Sequence, residues 1–173
     1  MSLIVLLSFN LFVSQINFDL VDFARKKQIE YNPPSKKYVV IIDYTKPMLT
    51  DRLFLIDIES NKIILKSQVS HAIKTGNSYP NYFSNEIGSE KSCYGAFITA
   101  ETYYGKYGYS LVVDGKDKGI NDNARKRKIV FHSTKKMTNP NYPLTYGCFA
   151  TSDDINLKLI NMIKGGSLVY VIH

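Results

Sequence analysis

At 173 residues, with 45% hydrophobic and 21% charged residues, the chain fits one soluble globular domain with a real core. Two cysteines exclude a disulfide framework, and the scattered His71, His132, Cys93 and Cys148 lack the close CxxC or HxxxH spacing of a metal site, so no metal and no cofactor is expected. A formal charge of +7 leaves open an acidic partner or plain solubility.

The first fifteen residues, MSLIVLLSFNLFVSQ, are apolar but shorter than a bilayer span. They read either as a signal or anchor remnant with an imperfect cleavage site, or as a buried N-terminal segment. FDLVDFARKKQ (18–28) has helical apolar spacing and trailing cations, and YNPPSKK (31–37) breaks it. Residues 1–36 therefore form an apolar segment, short helix and linker, ahead of a main domain over 37–173. That domain reads mostly β. Strand-like runs rich in β-branched residues occupy 37–44, 52–58 and 61–70, with a hairpin turn at 58–62. Further runs follow at 94–99, 109–115, 127–132 and 167–173. The helix over 151–164 is the clearest: Thr151 or Ser152 stands at the N-cap, Asp153 and Asp154 in the first turn, and Gly165–Gly166 stops it. Short strands with one or two peripheral helices define a β-sandwich or barrel-like fold.

Chemistry concentrates in TYGCFA (145–150) and at His132, which ends an apolar strand. Fifteen residues lie between His132 and Cys148, enough for the loop to fold back and bring them together. Imidazole then takes the thiol proton, an adjacent imidazolium favours thiolate near neutral pH, and the sulfur attacks an acyl carbon. Gly147 leaves the backbone uncovered, so the N–H groups of Tyr146, Gly147 and Cys148 can converge on an oxyanion. NDNARKRK (121–128) reads as a solvated turn feeding the next strand, with Asn121, Asp122 and Asn123 as turn residues, and no nucleic-acid partner is expected. Tyr103, Tyr104, Tyr107 and Tyr109 read as a Tyr-rich hairpin, with sugar stacking as the alternative. Cys93 reads as a small buried side chain.

The blocks SNEIGSEKSCYGAFITAETYYGKYGYSLVVDG, GINDNARKRKIVFHS, TYGCFA and MIKGGSLVYVIH occur in that order. Together they resemble the murein L,D-transpeptidase catalytic-domain family, the YkuD-like enzymes, from about Tyr38 to the C-terminus. The resemblance implies a mostly β YkuD-like fold and a cysteine acyltransferase acting on peptidoglycan stem peptides in the cell envelope, periplasm or medium, and acylated by carbapenems. It makes Cys148 the nucleophile and His132 the base, oriented by the main-chain carbonyl of Ser133. An amine acceptor yields a cross-link; water yields an L,D-carboxypeptidase, and a catalytically silent wall-binding module is a further alternative. His71, in SHAIKTG, falls at a pocket-wall position and reads either as a substrate contact or as a hydrogen-bonded structural histidine. Thr145 and Tyr146 are the other implied substrate contacts. The family usually carries Arg-Ser-Trp-Gly-Cys-Pro where this chain has Leu144-Thr145-Tyr146-Gly147-Cys148-Phe149. A carboxylate-holding arginine and a turn-stiffening proline are therefore expected to be lost.

Overall fold

A computed structural model describes residues 19–135 and 145–173. The apolar segment read as a signal, anchor or buried piece, and the loop position Leu144, lie outside the described residues. One eight-stranded sheet runs through the domain in the order β3-β2-β1-β8-β4-β5-β6-β7. The strands are β1 Tyr38–Asp43, β2 Leu53–Asp57, β3 Lys62–Ser67, β4 Gly95–Gly105, β5 Gly108–Gly115, β6 Val130–Ser133, β7 Phe149–Thr151 and β8 Leu168–Ile172. Helix α1 spans 19–31 and α2 spans Asp153–Ile163. The mostly β class is as expected, although the strands form one curled sheet.

The strand β1, YVVIID, is nearly continuously apolar because both its faces are covered. Val40 and Ile42 enter one core with Leu159, Ile160 and Ile163 of α2. Val39 and Ile41 enter another with Val21 and Ala24 of α1. Full burial of such aliphatic side chains stabilises by about 1.5–3 kcal/mol each. β1 pairs antiparallel with β2 and parallel with β8, so sequence-distant ends of the domain meet at its centre.

Several boundaries moved for physical reasons. α1 continues to residue 31, where the Asn32 N–H bonds the Gln28 carbonyl, Asn32 turns left-handed (φ 44°) and Pro33 ends propagation. β4 runs on to Gly105 and closes a hairpin with β5, with Tyr104 opposite Tyr109. β6 starts only at Val130, because residues 117–128 form turns. Asn121 ties that turn to the sheet: its amide donates to the carbonyls of Tyr94 and Ala96, and its oxygen accepts from the Asp117 N–H. Ser152 occupies the N-cap of α2, but its hydroxyl bonds Asp154 Oδ1 (2.6 Å) and caps no backbone amide.

Candidate active site

Strands β6 and β7 build the site. They pair in parallel, with Phe131 opposite Phe149 and His132 opposite Ala150. The two phenylalanines stack in the core, their centroids 5.0 Å apart. The alternate residues face the other way. Cys148 stands two residues before Ala150, on the lead-in to β7, and His132, Ala150 and Cys148 together line a cleft of about 350 Å³. Ser133, Thr145, Tyr146, Arg127, Lys128, Thr134 and Tyr107 complete it. Phe149, expected to loosen the turn in place of proline, is instead buried against Phe97 and Phe131 and anchors it.

The turn carrying Cys148 is clipped from both sides. The Thr145 hydroxyl donates to the Cys148 carbonyl (2.9 Å) and accepts from the Gly147 N–H (3.2 Å). The Gly147 amide, expected to face an oxyanion, is therefore committed inside the turn, and Thr145 spends its hydroxyl there as well. Outside the turn, the segment 70–73 grips both of its ends. Thr145 N–H bonds His71 O, Ile73 N–H bonds Thr145 O, and Ser70 exchanges two bonds with Ala150. Gly147 has φ 129°, and a Cβ there would lie 2.4 Å from Ile129 Cδ1 and 3.2 Å from Arg127 Nη2. Both the backbone conformation and the packing demand glycine.

His132 is only 5% exposed. A carbonyl can only accept, so the 2.9 Å contact between Nδ1 and Ser133 O places the ring hydrogen on Nδ1. Nε2 then carries the lone pair, with no hydrogen-bond partner among the described residues. The Tyr107 ring lies over the imidazole, centroids 4.5 Å apart and planes 21° from parallel. Burial holds the imidazole below its ordinary pKa of 6.5, while the Ser133 carbonyl acts weakly in the opposite direction. The Cys148 thiol is raised above its ordinary value, first by burial; the Val130 backbone and the Arg127 charge pull it back in part. The thiol donates to the Lys128 carbonyl at 3.5 Å. Both shifts run against the charged forms, imidazolium at His132 and thiolate at Cys148, and burial is the first cause of each.

His71 does not line the cleft. It is fully buried: Nε2–H donates to Gly76 O (2.8 Å), and Nδ1 accepts from Arg52 Nη2 (2.9 Å). The reading of His71 as a substrate contact is therefore corrected in favour of the hydrogen-bonded structural one. Tyr146, by contrast, is 65% exposed at the cleft edge. Residue-level reading missed Tyr107, Arg127 and Lys128 as cleft residues. The Tyr-rich hairpin and the basic stretch were the available signals, but neither shows from sequence which residue turns toward Cys148. In that stretch Arg125 is taken up by Glu101 and Asp114, and Arg127 by the carbonyls of Ser84 and Lys91. Cys93 is buried as expected, both cysteines are free, and no metal-holding cluster exists among the described residues.

Fold and cleft together define a β-sheet domain of the L,D-transpeptidase type. The YkuD_2 family profile, L,D-transpeptidase catalytic domain, matches residues 13–172, and the chain belongs to that family. Among solved structures it is similar to an L,D-transpeptidase from Mycobacterium smegmatis, at 12% identity and TM-score 0.50, covering 79% of this chain and 59% of that one. It is also similar to the helical cell shape determining protein Pgp2 from Campylobacter jejuni, at 13% identity and TM-score 0.55, covering 80% and 48%. A third is Bd1075 from Bdellovibrio bacteriovorus, at 14% identity and TM-score 0.51, covering 79% and 48%. The chain thus spans about half to three-fifths of the length of these structures. No curated protein matches it by sequence.

Proposed function

We propose that the protein is an L,D-transpeptidase of peptidoglycan stem peptides, working in the cell envelope with Cys148 as nucleophile and His132 as base. The observation that carries this reading is one cleft holding a half-buried thiol and an imidazole whose Nδ1–H is tied to Ser133 O. In the reaction, His132 Nε2 takes the Cys148 proton as sulfur attacks the carbonyl carbon of the donor's diaminopimelate. The Tyr146 and Cys148 amides, the two of the three that the turn does not engage through Thr145, face the developing oxyanion. Collapse breaks the C–N bond to the terminal D-Ala, and the imidazolium returns its proton to the leaving amine. An amine of a second stem peptide then attacks the thioester, loses its proton to His132 and restores the thiol. Among the described residues, the cations Arg127 and Lys128 line the cleft and no carboxylate does, which suits a substrate rich in carboxylates.

Water in the acceptor's place makes the same site an L,D-carboxypeptidase. Mass spectrometry of stem peptides incubated with the protein tests the reading: joined stems support transfer, and stems shortened by one residue without joined products support hydrolysis. Cys148→Ala is expected to abolish both products and the mass adduct formed with a carbapenem. Full turnover by that variant would remove Cys148 as the nucleophile. Wall binding without either product would leave only a silent binding module.

A further inference from the structure

We propose that Tyr107, at the tip of the β4–β5 hairpin, is a positioning residue that locks the plane and the hydrogen placement of His132. The inference rests on the reading of His132 as the base, and it assigns a task to a hairpin that the chemistry above does not use.

Three contacts close a ring around the imidazole. The Tyr107 ring covers one face of His132 at 4.5 Å. His132 Nδ1–H donates to Ser133 O, and the Ser133 hydroxyl donates back to Tyr107 O at 3.2 Å. Turning the imidazole would break the stack and the Nδ1 bond together. The hairpin that presents Tyr107 is itself held, because β5 pairs with β6 at Leu111–Phe131 and Val112–Val130, immediately before His132. Gly108, opposite Gly105, has φ 79°, and a Cβ there would come within 3.9 Å of Ser133 Oγ, so the tip lies directly against the serine. The titratable and charged groups lining the cleft with His132 are Tyr107 from the hairpin, Arg127 and Lys128 from the turn before β6, and Tyr146 and Cys148 from the turn before β7, and Lys106 Nζ lies 5.5 Å from the Tyr107 ring centroid. From α2, whose buried residues are Asn156, Leu159, Ile160 and Ile163, no ionised group is buried. Tyr107 is half exposed, so it shields the ring on one side and borders the cleft on the other. Aromatic stacking of this kind holds a ring plane without adding a charge beside it.

The test titrates the three histidines of the full chain by NMR, in wild type and in Tyr107→Phe, Tyr107→Ala and Ser133→Ala, alongside turnover of stem peptides. In wild type, burial keeps the His132 transition below 6.5. In Tyr107→Ala it is expected to move up toward that value and its ring signals to broaden, with kcat falling about tenfold, KM little changed and the acid limb of the rate profile displaced in step. Tyr107→Phe, which keeps the ring, should restore titration and kcat to within about twofold of wild type. Ser133→Ala removes the hydroxyl bond to the Tyr107 carbonyl while keeping the Ser133 carbonyl and the hairpin tip, and should move the His132 signals in the same direction. The titration needs no substrate, so it judges Tyr107 even if stem peptides prove not to be turned over. His132 signals and transition unchanged in both Tyr107→Ala and Ser133→Ala would overturn the proposal, as would equal losses of kcat in Tyr107→Phe and Tyr107→Ala.

Discussion

His71 and His132 look alike in the sequence, each closing a strand-like run, and both are buried in the fold. They differ in what is left over. His71 has both nitrogens engaged, one with Gly76 O and one with Arg52. His132 has one engaged with Ser133 O, and its ring lines a cleft beside a thiol. A buried imidazole with two fixed partners can only hold structure, whereas one with a fixed partner and a free lone pair can move a proton. His71 holds the segment 70–73, which in turn grips the Cys148 turn. His71 thus supports the Cys148 turn through hydrogen bonds, while the role proposed for His132 is proton transfer at the same turn.

Substituting each histidine should separate these tasks. The largest expected effect is His132→Ala, which lowers turnover by about 10²–10⁴-fold while shifting the unfolding midpoint little; steady-state kinetics and urea denaturation read the two quantities. His71→Ala should do the reverse, costing about 2–4 kcal/mol of stability because Arg52 and the Gly76 carbonyl lose their partner in a buried site. A full loss of turnover by His71→Ala in molecules that remain folded would erase the contrast. Acid should weaken the His71 contacts too. Burial and the Arg52 charge hold its pKa at about 4, against an ordinary 6.5. Between those values the unfolded chain binds a proton that the folded one refuses, so stability falls as pH drops through the window, by up to about 3 kcal/mol. Urea titrations at several pH values should show that slope in wild type and much less of it in His71→Gln.

The pH profile of turnover sharpens the other half of the comparison. His132 is held below 6.5 and Cys148 above its ordinary 9.0, so the proposed mechanism, in which a neutral imidazole takes the thiol proton, makes a definite prediction. The profile should show an acid limb below 6.5 and an alkaline limb above 9. A limb centred near 7.5 would point instead to a charged resting pair. The smallest effect is expected at Arg125, whose ion pairs with Glu101 and Asp114 are solvent-exposed. Arg125→Gln should leave turnover and the unfolding midpoint essentially unchanged, because exposed pairs contribute little.

The strands β1, β2, β5 and β8 were readable in advance because β-branched runs buried on one or both faces leave a local signature. So was α2, whose acidic first turn and Gly165–Gly166 stop are local too. The three-residue β7 was not, since Phe149–Thr151 is a strand only through its pairing with β6. The late start of β6 also escaped, because side-chain bonds from Asn121 hold the preceding turn. In the site, Cys148, Gly147 and His132 were visible as residue types in a pattern. The burial of His71, the inward use of Thr145 and the arrival of Tyr107 over His132 were not.

From residue order alone came a mostly β chain with a Gly-Cys turn downstream of a strand-end histidine, because periodicity, turn chemistry and motif spacing are properties of neighbouring residues. Only the tertiary structure decided which histidine keeps a free nitrogen, which amides the turn consumes and which tyrosine covers the imidazole. Those outcomes depend on hydrogen-bond partners and ring contacts supplied by segments distant in the chain, such as the Tyr107 hairpin and Arg52, whose approach no local pattern encodes.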